Sequence, residues 1–337
     1  MMLETILKEL TDSVSIGHID GAREIIGRYL AFCNDIKNCG ANGIMATIDN
    51  KKPKTILIDA HIDEVGMIVT NVSDTGFITV SNAGGIDLRQ LPSKEVVIHG
   101  KKDVNGVFVS TPPHLSKDDE KFSNISDIKI DTGLKDLAKE IISIGDFVTY
   151  KNEFLKLQGN RISAKALDNR ACCAMLVYVA NKLKDKELPV NVVFLFSDSE
   201  ELGLRGARTA IYPLEISEAI VTDVSFGDAP DVSASECGIL GKGGMIGISP
   251  VLCREISDKL NSTAKEHNLP CQYEVMGSST GTNADVISLS KQGVKTGLIS
   301  IPLRNMHTDC EIVDLKDIEN TASVIEAYVL SGGISNA

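Results

Sequence analysis

Tryptophan is absent from this chain of 337 residues, and aromatic side chains make up only 4% of it. The remaining composition is that of an ordinary globular protein. Basic residues are also short: 34 Lys and Arg face 46 Asp and Glu, a formal net charge of -12. That balance argues against nucleic acid or an anionic membrane surface as the main partner. No apolar run approaches the ~18–20 residues that a membrane span needs. The opening MMLETILKELTDS has no basic n-region, and Glu4, Lys8 and Glu9 interrupt its apolar residues, so it does not read as a signal peptide. No internal repeat and no CxxC pair occurs. The eight cysteines are scattered, with only Cys172 and Cys173 adjacent. They are expected to be reduced, mostly buried thiols in a cytoplasmic protein. Cys310, close behind His307, is expected to be a packed thiol as well.

A chain of this length exceeds one typical core, so two domains, or one domain with an insertion, are expected. Nearly continuous apolar runs at 55–60, 190–196, 219–224 and 296–301 read as strands covered on both faces. Helical spacing appears at 22–30, 168–184, 251–267 and 314–330. The last has Asp314 as N-cap and Gly332-Gly333 as its stop. Alternating strands and helices predict an α/β fold, with a mostly parallel central sheet flanked by helices. Residues 67–160 differ. Short alternating runs (77–80, 95–98, 107–109) are separated by turn signals at Asp74-Thr75-Gly76, Gly84-Gly85 and Asn105-Gly106, the last being a hairpin signal. Pro112-Pro113 and the charged stretch 117–121 mark a long surface loop. The expected division is a catalytic domain of 1–66 and 161–337 with a small β-rich domain, 67–160, inserted in it.

Potential ligands stand at or near the ends of the strand-like runs: His61-x-Asp63, Asp168, Glu200-Glu201, Asp223 and His307. The C-terminal edge of a sheet is where an open α/β fold places its chemistry. Each has a plainer reading. His61 and Asp63 could form a polar turn, Asp168 an N-cap, and Glu200-Glu201 the first turn of a helix. Asp223 could be a hydrogen-bonded strand-end acid, and a loop histidine such as His307 usually means nothing. Jointly they suit two divalent cations. Histidine is the commonest ligand for zinc-like metals, and Asp63 could orient His61 through its second nitrogen. Asp168 has two oxygens and could bridge. Glu201 would bind metal while Glu200, unligated, acts as general base and acid. Asp223, embedded in an apolar run, is expensive unless paired or metal-bound. Asp168, Glu201 and Asp223 with one hydroxide balance two divalent cations, which clamp an attacking water when roughly 3.5–4 Å apart. Zinc fits this donor set well, and cobalt or manganese nearly as well.

The chain resembles the M42 family of metallo-aminopeptidases, which includes glutamyl aminopeptidases and the TET peptidases. The matching pieces are Ala60-His-Ile-Asp-Glu-Val-Gly66, Gly84-Gly-Ile86, Pro112-Pro-His-Leu115, Ala166-Leu-Asp-Asn-Arg170, Glu200-Glu-Leu-Gly-Leu-Arg-Gly-Ala207, Asp223-Val224 and Ile301-Pro-Leu-Arg-Asn-Met-His-Thr308. They run in order over almost the whole chain. The resemblance implies that His61 and Asp223 hold one metal and Glu201 and His307 the other, with Asp168 shared. It implies Asp63 as the orienting acid and Glu200 as the base. It also implies dimerisation through the β-rich insertion and twelve subunits in a hollow tetrahedral particle. The sequence departs from the family pattern at Ser197-Asp198-Ser199, Asn283, Asn305 and the turn 17–21, positions expected around the substrate pocket. The expected activity is hydrolysis of the N-terminal residue of short peptides. The rival activities are an N-acyl amino-acid deacylase and an endoglucanase-type glycosidase using paired carboxylates. Arg304 could read an acidic substrate side chain or serve as an ion-pair partner.

Overall fold

The computed structural model describes residues 2–111, 114 and 125–335. Its centre is an eight-stranded sheet in the order Cys271–Val275, Gly244–Ile248, Lys295–Leu303, Glu218–Phe226, Thr55–His61, Asn191–Ser197, Gly43–Ile48 and Asp35–Cys39. The four apolar runs of the sequence form its middle and are mutually parallel. Almost every residue in them is buried, as strands covered on both faces require.

The sheet as a whole is mixed rather than mostly parallel. Gly43–Ile48 runs antiparallel to Asn191–Ser197, and Asp35–Cys39 antiparallel to Gly43–Ile48. On the other side Gly244–Ile248 is antiparallel to Lys295–Leu303. Apolar continuity reports burial on two faces and carries no information on strand direction. The short link 40–42 permits only an antiparallel return, since a parallel one needs a crossover of a dozen or more residues.

Side chains alternate between the two faces. Ile56, Ile58 and Ala60 join the larger core with the helices Met2–Asp12, Leu167–Leu183, Arg254–Glu266 and Leu315–Leu330. Leu57, Val193, Leu195, Val221 and Leu298 face the short helices Arg205–Ala210 and Ala284–Ile287. Asp314 caps the last helix by accepting from the Lys316 amide, and Gly332 and Gly333 end it in left-handed backbone.

Six strands between Gly66 and Tyr150 close into a small barrel around Met67, Val80, Ile98, Phe108, Ile130 and Val148. Asn105-Gly106 is not a turn there. Both residues lie inside the strand Asp103–Val109, and the hairpin falls at 100–102, between His99 and Asp103. Gly106 is needed for space: a Cβ at this position would stand 2.5 Å from Ile130 Cγ2. The expected loop at Pro112-Pro113 and 117–121 lies outside the described residues. A three-stranded sheet of Leu155–Lys156, Arg161–Ala164 and Glu311–Asp314 leads into the helices Leu167–Leu183 and Leu315–Leu330.

Among the described residues no helix is long and apolar enough to cross a membrane. All eight cysteines are free, but only Cys172 and Cys173 are fully buried, fewer than expected. Cys310 is exposed and not a packed thiol. It sits in the reversal closed by the backbone hydrogen bonds between Arg304 and Ile312, with its Sγ 3.7 Å from Thr308 Oγ1.

Candidate metal centre

His61 ends its strand, and the parallel register sets it beside Ser197, so that Glu200 and Glu201 follow on the neighbouring strand's exit. Asp223 lies one strand over on the other side, paired with Ser300. Asp168 enters from the start of the helix Leu167–Leu183, where Asp168 and Asn169 leave helical backbone and are joined by a cis peptide. His307 enters on the loop after Lys295–Leu303. All six side chains line one cavity of about 330 Å³.

The two oxygens of Asp168 face two different imidazoles. Oδ1 is 3.2 Å from His61 Nε2, and Oδ2 is 3.3 Å from His307 Nε2. Beyond them, Asp223 Oδ1 lies 3.7 Å from His61 Nε2, and Glu201 Oε1 lies 3.2 Å from His307 Nε2. Two groups of potential ligand atoms lie within 4.8 Å of one another: His61, Glu200 and Asp223; and His61, Asp168 and Glu201. Asp63 stands behind them. Its main-chain oxygen is 3.2 Å and its Oδ1 3.4 Å from His61 Nδ1. The same carboxylate accepts from the backbone amides of Glu200 and Glu201, at 3.0 and 3.2 Å. One acid therefore positions the imidazole and the acid pair together.

The electrostatics are those of crowded acids in a poorly solvated place. Burial opposes a charged His61, but hydrogen bonds to Asp168, Asp223 and Asp63 outweigh it and hold its pKa well above the ordinary value. Burial likewise opposes a charged His307, yet Asp168 and Glu201 raise it to about 11. Asp168, despite burial, is held well below the usual carboxylate range by His307 and His61. Glu200 has no such partner. Burial pushes it up to about 9, and the nearby Asp223, Glu201 and Asp168 add to this, with only His61 opposing. Among the described residues that line the cavity, the two imidazoles are the only positive counterweights to the acids. Carboxylates and imidazoles of this kind are the donors that divalent zinc-like cations take, and such cations would relieve the repulsion among the acids.

Several residues at the site have roles that the sequence did not assign, although Glu64 and Gly85 lie inside the quoted motifs. Glu311 is 1% exposed. Its two oxygens accept from the backbone amides of Asp168, at 3.0 Å, and His307, at 2.6 Å. A glutamate opening the short run Glu311-Ile-Val-Asp314 gives no hint of this, because its partners are backbone atoms of distant segments. Glu64 accepts from Lys165 Nζ at 2.5 Å and from the Ser15 amide, with the buried Arg170 alongside at 3.7 Å. Gly85 leaves room for His307; a Cβ there would lie 3.0 Å from Nδ1. The residues that depart from the family pattern are spread over several places. Asn283 is buried behind the cavity, donating to Asp59 Oδ2 and Ser197 Oγ, each at 2.9 Å. Asn305 is exposed and donates to the Cys310 carbonyl. Asp198 and Ser199 line a separate cavity with Gly17 and Ile19. Arg304 is an ion-pair partner of Asp228, at 2.6 Å.

A sequence profile of the M42 glutamyl aminopeptidase family matches residues 42–324. A candidate aminopeptidase of Acetivibrio thermocellus is 32% identical over 327 residues, 95% of this chain and 96% of its own. The lysyl aminopeptidase of Pyrococcus furiosus is 27% identical and covers 96% of both chains. Among solved structures, the TET1 peptidase of Pyrococcus horikoshii, which can assemble into a tetrahedron or a large octahedral shell, superposes with a TM-score of 0.85. It is 29% identical, over 97% of this chain and 99% of that one. The chain belongs to the M42 glutamyl aminopeptidase family and is a metal-dependent aminopeptidase, a hydrolase of peptide bonds.

Proposed function

We propose that the cavity holds two divalent ions and removes the N-terminal residue from short peptides. His61 and Asp223 would hold one ion, Glu201 and His307 the other, with Asp168 shared. The observation that supports this most is the division of Asp168, whose two oxygens face separate histidines. Zinc suits the donors best, with cobalt or manganese close behind.

When bound, such ions supply an activated water and a polarised scissile carbonyl. The chain's own residues do the rest. Asp63 fixes the ring of His61 and, through two backbone amides, the placement of Glu200 and Glu201. Glu200, with no cationic side chain bonded to it, takes the proton of the attacking water and passes it to the departing amine. Neighbouring cations would bring its raised pKa down towards the range of a working base. The crowd of carboxylates favours a substrate with a free, positively charged amino terminus.

The chain is further proposed to form homo-oligomers, with the inserted 67–160 unit mediating dimers and the dimers building a dodecamer, since the Pyrococcus horikoshii relative assembles into closed shells. Eight free cysteines suit the reducing cytoplasm. Free and N-blocked aminoacyl anilides, each with and without chelator, test the activity. Only the free substrates should be cleaved, and chelation should abolish turnover. Cleavage of blocked substrates alone would make the protein a deacylase.

A further inference from the structure

The cavity contains one acid with no place in the proposed hydrolysis. Glu274 stands on the edge strand Cys271–Val275 and lines the same cavity as the metal cluster. Its two carboxylate oxygens each accept one hydroxyl: Oε1 from Ser225, Oε2 from Ser300 at 2.9 Å. Those serines fix where it sits. Ser300 pairs in register with Asp223, and Ser225 is two residues beyond Asp223 on the same face of the same strand. Glu274 thus bonds one serine opposite Asp223 and another about 6.5 Å, two strand residues, along the wall from that proposed ligand.

A carboxylate has about four acceptor sites, and the two hydroxyls leave acceptor capacity free. Among the described residues no Lys or Arg forms an ion pair with Glu274. No Lys or Arg lines the cavity either; its basic residues are the histidines assigned to metal. Arg304, which could have read an acidic substrate, is committed to Asp228. The other walls beside Glu274 are apolar or neutral: Phe226, Met276, Met306 and Thr280. Apolar walls that end at a lone, half-buried carboxylate match a side chain with a hydrocarbon stem and a cationic head.

We propose that Glu274 determines specificity by receiving the ammonium or guanidinium of an N-terminal Lys or Arg. This rests on the aminopeptidase reading of the cavity. An N-terminal Glu or Asp would bring a second carboxylate beside Glu274 with no base to meet it, so this chain discriminates against the acidic residues in its family's name.

The test is kcat/KM of the metal-loaded protein on Lys, Arg, Leu, Met and Glu anilides, for the wild type and for Glu274→Gln and Glu274→Asp. The wild type should prefer Lys and Arg over Leu at least tenfold and over Glu at least a hundredfold. Glu274→Gln, which keeps the shape and the hydroxyl contacts, should lower the Lys-to-Leu ratio at least tenfold. Glu274→Asp should retain part of the preference. A wild type that favours Glu, or a Lys-to-Leu ratio unmoved by Glu274→Gln, overturns the assignment while leaving the aminopeptidase intact. Equal loss on every substrate in Glu274→Gln also overturns it, because Glu274 would then act on what all substrates share. A wild type that cleaves none of the anilides defeats the aminopeptidase reading itself, and the specificity with it.

Discussion

His61 closes a buried strand and is 1% exposed, whereas His307 stands on a loop in left-handed backbone, φ +63°, with 28% of its side chain exposed. The same division runs through their partners. Asp223 is part of a parallel strand that pairs with a neighbour on each side and is itself in register with Ser300, while Glu201 follows a strand exit and is held there by the hydrogen bond its backbone N–H donates to Asp63. The strand half is positioned by the ladder that makes the fold. The loop half needs dedicated supports: Glu311 on the His307 amide, Gly85 making room for its ring, and Asp63 on the acid pair. A non-glycine residue in left-handed backbone costs of order 1–3 kcal/mol and persists where its surroundings over-determine it. Glu311 is such a surrounding.

The largest effect should come from the residue common to both halves. Asp168→Ala is expected to lose at least about a thousandfold in kcat and to leave less than one tightly held ion per chain, read by elemental analysis after gel filtration. If two ions remain, the halves do not depend on Asp168. Glu311→Gln should separate the halves. An amide offers one acceptor oxygen and turns an NH₂ towards a backbone donor, so one of the Asp168 and His307 amides loses its bond. Outer-shell changes of this kind typically cost about 10–100-fold in metal affinity or activity. The His307-side ion is expected to leave at lower chelator concentration than in the wild type, with the His61-side ion retained longer. Equal weakening of both ions would remove the distinction drawn between them.

Metal loading should also be coupled to protons. In the cation-free cluster both histidines have raised pKa values, His307 about 11. They are therefore protonated near neutral pH, and a cation must displace those protons. Binding is expected to release protons, and affinity should fall as pH falls. Calorimetry in buffers of different ionisation heat measures the number released; zero release would contradict the charge state described. The smallest effect is a control. Asp314→Ala removes the cap of the final helix, three residues beyond Glu311. It should cost about 1 kcal/mol of stability in denaturant unfolding and leave metal content unchanged. Loss of metal there would mean that the Glu311 phenotype reports general loosening.

The sequence showed the strand half more clearly than the loop half, for a physical reason. Apolar runs ending in His61 or enclosing Asp223 are local patterns, and they fall on the buried parallel strands that carry these residues. Helix ends were legible from caps such as Asp314. Edge-strand direction was not, because it depends on pairing partners. Asn105-Gly106 misled because the space restriction at Gly106 comes from Ile130, a residue of another strand. Glu311, Glu64 and Glu274 were missed because each acts on groups far away in sequence, and Asn283 turned out to be a buried brace on Asp59 instead of a pocket residue.

If Glu200 moves the proton as proposed, it is not needed to hold metal. The direct measurement is kcat of Glu200→Gln, shown by elemental analysis to carry as many ions as the wild type. A kcat reduced by roughly 10²–10⁴-fold is expected. A metal-replete Glu200→Gln enzyme turning over at the wild-type rate would contradict it.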